Sequence, residues 1–86
     1  MHRDIFKNEE EVEYNVPGYP LVMRMIENLE TNTRWFFHSC SADFGNEIYD
    51  FFFSSYELPE YQHCQVWIQV TKNNSDYVAK LISHKE

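Results

Sequence analysis

Two pairs of histidine and cysteine are the residues of this chain best suited to metal binding or thiol chemistry. His38 and Cys40 are separated by one residue, and His63 and Cys64 are adjacent. Together they could form a tetrahedral zinc site, or supply a nucleophile and its base. However, the usual spacing of zinc ligands is absent, and adjacent side chains on a strand point to opposite faces. Because no Gly-rich turn or third positioned group accompanies either pair, the sequence predicts no metal, no cofactor and no enzymatic activity.

Carboxylates form a second pattern, which consists of two regularly spaced rows. The first row alternates along a predicted strand and contains Glu9, Glu11 and Glu13. The second row follows one side of a predicted helix and contains Asp43, Glu47, Asp50 and, at its end, Glu57. Neighbouring carboxylates would be about 6.7 Å apart on the strand and about 5–6 Å apart along the helix. Phosphates along a nucleic-acid strand have a comparable spacing, so the rows predict a surface that imitates them; the alternative is a solvated acidic edge that prevents aggregation.

Aromatic residues form a third pattern beside the carboxylates. The predicted helix carries a stripe that is distinct from its core-facing side and consists of Tyr49, Phe53 and Tyr56. Trp67 is expected on the uncovered face of a strand, because its neighbours Val66 and Ile68 point the other way. Large rings are common anchors of protein interfaces, so these residues predict contacts with a partner or with a second copy. The alternative is that the stripe packs under the loop at 57–63 or against the N-terminal arm.

The charge balance narrows the class of partner. Fourteen acidic residues oppose seven basic ones, which gives a net charge of −7. Nucleic acids and anionic membranes are bound by clusters of Lys and Arg, so direct binding to either is not expected. The charge favours a basic protein as the partner, and the alternative explanation is solubility alone.

The hydrophobic pattern predicts five strands and one helix. The predicted strands cover 11–16, 20–28, 33–39, 64–71 and 77–82, and the helix covers about 42–57. Residues 20–29 also have the period of a helix, so that interpretation stays open. Residues 1–8 show no period and are expected to form a loose arm. The predicted fold is a single α+β domain of residues 1–86, in which an antiparallel sheet of four to five strands packs on one helix in the order β-β-β-α-β-β.

The sequence also gives an expectation of cellular location. It shows neither an apolar run long enough to span a membrane nor a signal peptide. We therefore expect a cytoplasmic protein with reduced cysteines, although pairing of Cys40 with Cys64 stays open.

These patterns together predict a small, acidic, non-enzymatic inhibitor that binds a basic nucleic-acid-handling protein and blocks its substrate site. In size, acidity and aromatic content the chain is similar to phage anti-restriction and anti-CRISPR proteins, and to immunity proteins that neutralise nuclease toxins. That similarity is one of class and involves no diagnostic motif. The alternative hypothesis is a homodimeric structural or adaptor domain that uses the aromatic helix stripe as its interface.

Overall fold

A computed structural model describes residues 3–30, 34–55 and 65–85 of the chain. Its elements in chain order are β1 (Asp4–Phe6), α1 (Glu9–Asn15), α2 (Tyr19–Leu29), β2 (Phe36–Asp43), β3 (Ile48–Ser54), β4 (Val66–Asn73) and β5 (Asp76–His84). The strands form one antiparallel five-stranded sheet in the order β1-β2-β3-β4-β5. The α+β class and the antiparallel sheet are therefore confirmed, whereas the predicted order of elements and the single helix are not. No helix among the described residues is long and apolar enough to cross a membrane.

The core lies between the two helices and one face of the sheet. Alternate residues of the three middle strands point into it, and these are Cys40, Ala42, Tyr49, Phe51, Phe53, Val66, Ile68 and Val70. The helices contribute Val12 from α1, and Val22 and Ile26 from α2. Both described helices cover the same side of the sheet; the opposite side, here called the open face, has no helix over it among residues 3–30, 34–55 and 65–85.

The predicted helix at 42–57 is wrong. Residues 42–54 form the end of β2, a turn at 44–47 and β3. Asp43 stabilises the turn, because its carboxylate accepts hydrogen bonds from the backbone N–H and the side-chain amide of Asn46 at 3.0 and 2.8 Å. Glu47 closes the turn with a φ of 56°, a conformation incompatible with a continuing right-handed helix.

The strands predicted at 11–16 and 20–28 are also wrong, since both segments are helical. The side chain of Asn8 caps α1 by accepting hydrogen bonds from the N–H groups of Glu10 and Glu11 at 2.9 and 3.3 Å. Acidic residues in the first turn of α1 suit the helix dipole. In α2 the buried residues Val22 and Ile26 are four positions apart, which agrees with the helical interpretation left open for 20–29. In α1 the buried residue is Val12.

Gly18 determines how α2 begins and how closely it approaches the sheet. Its φ is +86°, and a Cβ at this position would lie 2.6 Å from Cγ1 of Val70 on β4. Only glycine satisfies both conditions without strain. The turn at Pro17 and Gly18 therefore connects α1 to α2 and also packs on the core.

The remaining predicted elements agree better with the structure. The strands predicted at 64–71 and 77–82 correspond to β4 and β5, and the strand predicted at 33–39 overlaps β2. Part of the predicted loose arm is ordered, because β1 pairs with β2 in the register Asp4 to Ala42 and Phe6 to Cys40. This strand extends the sheet beyond β2. Phe6 packs against the core, whereas Arg3, just before the strand, reaches Asp50 on the open face.

Candidate protein-binding surface

Helix α1 carries most of its charge on the side that faces solvent. Val12 is fully buried, and this orients Glu10, Glu11 and Glu13 outward. Tyr14 is 80% exposed and lies beside these carboxylates. Within the described part of the chain, no ion pair or side-chain hydrogen bond engages the carboxylate of Glu10, Glu11 or Glu13. We call these four residues, Glu10, Glu11, Glu13 and Tyr14, the α1 acidic face.

Glu9 has a different environment from the rest of the predicted first row. Its carboxylate accepts a hydrogen bond of 2.8 Å from the hydroxyl of Tyr19, the first residue of α2. Burial, together with this hydrogen bond and the charge of Glu9, raises the pKa of Tyr19. Glu9 therefore joins the two helices, while Glu11 and Glu13 remain available to a partner.

The predicted second row does not form, because its members bind other residues of the same chain. Asp43 stabilises the turn at 44–47, and its hydrogen bonds from Asn46 lower the pKa of its carboxyl group. Glu47 pairs with the ammonium of Lys72 at 3.5 Å. Glu57, the last member, lies outside the described residues.

Asp50 lies at the centre of the open face, on the middle strand of the sheet. It is only 6% exposed. One carboxylate oxygen accepts hydrogen bonds from the indole N–H of Trp67 at 2.8 Å and from the amide of Gln69 at 2.9 Å. The other oxygen pairs with the guanidinium of Arg3 at 3.0 Å, and Arg3 also donates to Ser41 at 2.9 Å. A buried carboxylate needs such compensation, so this network fixes the N-terminal residues and Trp67 to the sheet.

Trp67 is half-buried on the open face, where the sequence predicted it. Its ring packs against that of Phe52 with a centroid distance of 5.8 Å and an interplanar angle of 32°. Because Asp50 also holds the indole nitrogen, the orientation of the ring is fixed on two sides. The result is a small aromatic area that lies on the sheet, separate from the α1 acidic face.

Tyr49 and Phe53 point into the core. They are 2% and 1% exposed, because β3 directs its odd-numbered residues towards the helices. Neither side chain presents a surface to a partner or to a second copy. Tyr56 lies outside the described residues.

Of the two His–Cys pairs, the structure describes His38 and Cys40. Cys40 is fully buried in the core, and burial together with the charge of Asp50 raises the pKa of its thiol to about 12. Such a thiol stays protonated at neutral pH and is a poor nucleophile and metal ligand. A ring nitrogen of His38 lies 2.8 Å from the hydroxyl of Ser39. His63 and Cys64 lie outside the described residues. The described residues contain no group of three potential metal ligands.

Sequence reasoning missed several residues that determine the two surfaces. Glu10 and Tyr14 are absent from the predicted acidic row, because on a strand they would lie on the face opposite Glu9, Glu11 and Glu13. The signal that could have placed both is Asn8 followed three residues later by Glu11, which resembles a helix capping box. The partnership of Arg3 with Asp50 had no local signal, because the two residues are 47 positions apart.

Comparison with known proteins identifies no relative. No protein-family model matches the chain, and neither a curated protein nor a solved structure resembles it at a significant level. The case for a function therefore depends on the geometry of the described residues.

Proposed function

We propose that this protein is a non-enzymatic inhibitor that uses the α1 acidic face to bind a basic nucleic-acid-handling protein and block its substrate site. The main observation behind the proposal is that three carboxylates of α1, which make no ion pair with any described residue, lie on the same short helix as a tyrosine that is 80% exposed. Elsewhere Asp50 and Glu47 are paired with Arg3 and Lys72 of the same chain. Among the described residues, α1 therefore brings together three carboxylates that are available to a partner.

The arrangement on α1 explains why a cationic surface would bind there. Glu10 and Glu13 are three positions apart on the helix and Tyr14 is four from Glu10, so the three side chains are neighbours. The two carboxylates repel each other, and like charges at this spacing destabilise a helix by about 0.2–0.5 kcal/mol per pair. Lys or Arg side chains of a partner would remove that repulsion. Charge would speed the encounter, and the tyrosine ring would slow dissociation when it is buried in the complex.

A nucleic-acid-handling protein is the class of partner that best fits this surface. Proteins that bind nucleic acids neutralise phosphates with rows or grooves of Lys and Arg. The carboxylates of α1 follow a helix whose side-chain neighbours are about 5–6 Å apart, close to the spacing of phosphates along a strand. An acidic helix can therefore occupy a groove that is shaped for phosphates, and the aromatic ring can take the place of a base.

The experiment is affinity capture on the immobilised full chain, followed by an inhibition assay on the captured enzyme. The test variant, Glu10→Gln/Glu13→Gln, removes two negative charges from the α1 acidic face. The control, Glu27→Lys, changes net charge equally on the exposed side of α2. We expect the test variant to bind about 2- to 30-fold more weakly, at ~0.2–1 kcal/mol per exposed charge pair, and the control to bind nearly as well as wild type.

Two results would contradict the proposal. The captured protein could have no basic groove and no activity on nucleic acid. Alternatively, the control could lose as much affinity as the test variant, which would show that only net charge matters.

A further inference from the structure

The outer side of β5 is unpaired within the described sheet. β5 runs from Asp76 to His84, lies at the end of the strand order and pairs only with β4. Edge strands expose N–H and C=O groups that can accept another strand, and native proteins usually keep such edges short or charged. A nine-residue edge strand is longer than the average strand of about five or six residues.

The side chains along this edge are mostly apolar. Val78, Leu81 and Ile82 are 44%, 37% and 40% exposed. Beside them, a groove of about 340 Å³ separates β5 from α2, and Leu21, Met25, Tyr77 and Ala79 are among the residues that line it. An exposed strand edge next to an apolar groove fits a partner that supplies both a strand and apolar side chains.

We propose that this partner is a second copy of the same chain, whose β5 pairs antiparallel with β5 around a two-fold axis at Ala79. The pairing would join two five-stranded sheets into one continuous sheet. Each copy would also place apolar side chains over the groove of the other.

The register follows from which side chains would face each other. A two-fold axis perpendicular to the sheet keeps each residue on its own face, so a centre at Ala79 places Tyr77 opposite Leu81 of the second copy. The small side chain of Ala79 then lies opposite Ala79 of the second copy. A centre at Lys80 would instead place two ammonium groups opposite each other, which is destabilising. The pairing of β4 with β5 shifts register between Trp67 and Ile68. Regular pairing along the outer side of β5 is therefore limited to the β5 residues that precede this shift.

Charge supports the same register. Asp76 would lie diagonally across from Lys80 of the second copy, on the same face and within reach of a long side chain. Because the axis is two-fold, the dimer contains two such pairs of Asp76 and Lys80. In addition, α1 packs over β1 and β2, whereas α2 is the helix that contacts β5. The acidic faces of the two copies would therefore lie at the outer ends of the joined sheet, where they repel each other least and remain accessible.

Analytical ultracentrifugation of the full chain between about 1 and 300 μM tests the proposal. We expect a reversible monomer–dimer equilibrium. The variants Asp76→Lys and Lys80→Asp each replace two attractions with two repulsions and should weaken the dimer roughly tenfold. The double variant Asp76→Lys/Lys80→Asp restores opposite charges and should recover most of the affinity. Lys7→Asp, an equal charge change near the opposite edge, is the control and should leave the dimer unchanged.

Three results would overturn the proposal. The chain could remain monomeric over the whole concentration range. A dimer could form but lose as much affinity in the double variant as in the single ones. Hydrogen exchange could also show concentration-dependent protection at amides other than those of residues 76–82, which would place the interface between copies on another surface.

Discussion

Removal of the Asp50 carboxylate is predicted to destabilise the fold more than removal of any exposed carboxylate. Asp50 accepts hydrogen bonds from Trp67 and Gln69 and pairs with Arg3, all within 3.0 Å. Hydrogen bonds to charged groups contribute about 1.5–3 kcal/mol each, but the side chain of Arg3 is 36% exposed, so water compensates part of its loss. Asp50→Ala should therefore lower the free energy of unfolding by about 3–5 kcal/mol.

This is a large share of the stability expected for a domain of 86 residues. Domains of this size have a free energy of unfolding of roughly 5–15 kcal/mol, and a loss of 1 kcal/mol lowers Tm by about 4–8 °C. Urea unfolding followed by tryptophan fluorescence gives the free energy, and a thermal melt gives Tm. Glu27→Gln, which changes an exposed carboxylate on α2, is the control and should stay within about 0.5 kcal/mol of wild type.

A double-mutant cycle separates the Arg3 contribution from the rest of the network. Arg3→Gln, Asp50→Asn and their combination should give a coupling energy on the order of 1 kcal/mol, because the pair is partly exposed. If Asp50→Ala costs no more stability than Glu27→Gln, or if the cycle shows no coupling energy, the network does not hold the N-terminal residues on the sheet.

Three further predictions concern single residues. Gly18→Ala should lower the free energy of unfolding by about 1–3 kcal/mol, because the φ of +86° and the close approach to Val70 both oppose a side chain. Gly45→Ala should change this free energy little, and thermal melts compare the two variants. The Cys40 thiol should resist alkylation at pH 8 in the folded protein and react on unfolding, because its pKa is raised to about 12; peptide mapping by mass spectrometry follows its modification. The carboxyl group of Asp43 has a lowered pKa in the folded state. Its contribution to stability is therefore complete above its unfolded pKa of about 3.9 and is lost as the pH falls towards the folded pKa. Asp43→Asn should flatten the pH dependence of urea unfolding in that range.

The outer hairpin of the sheet could be predicted because one face of each strand dominates its pattern. In β4 the residues Val66, Ile68 and Val70 alternate with polar or amphipathic ones, which leaves only one interpretation. β5 has a weaker pattern, but it follows a clear turn at Asn74 and Ser75. Local residues were sufficient for these two strands.

β3 was mistaken for a helix because both of its faces carry aromatic residues. Phe51 and Phe53 point into the core while Phe52 packs with Trp67 on the open face, so the period of two is hidden. Residues that happen to lie three and four apart then imitate a helical stripe. The covering of a sheet on both faces is a tertiary feature, which a local window cannot show.

The acidic surface was predicted in kind but only partly in position. Alternation of Val12, Tyr14 and Val16 suggested a strand, although Val12 and Val16 also have the spacing of a buried helical pair. The helix changes which side chains are neighbours, and so brings Tyr14 to the carboxylates. The pairing of Asp50 and Glu47 with Arg3 and Lys72 depends on how the strands are arranged, and therefore could not be predicted from spacing.

If the α1 acidic face binds a cationic partner, that binding must weaken as salt is added, and the size of this effect must depend on the carboxylates of the face. Affinity for the captured partner is titrated between 50 and 300 mM salt for the wild type, Tyr14→Ala and Glu10→Gln/Glu13→Gln. The proposal predicts that removal of the two carboxylates lowers affinity and flattens the salt dependence, while loss of the tyrosine ring lowers affinity with the slope unchanged. Equal affinities and equal slopes for all three proteins would contradict it.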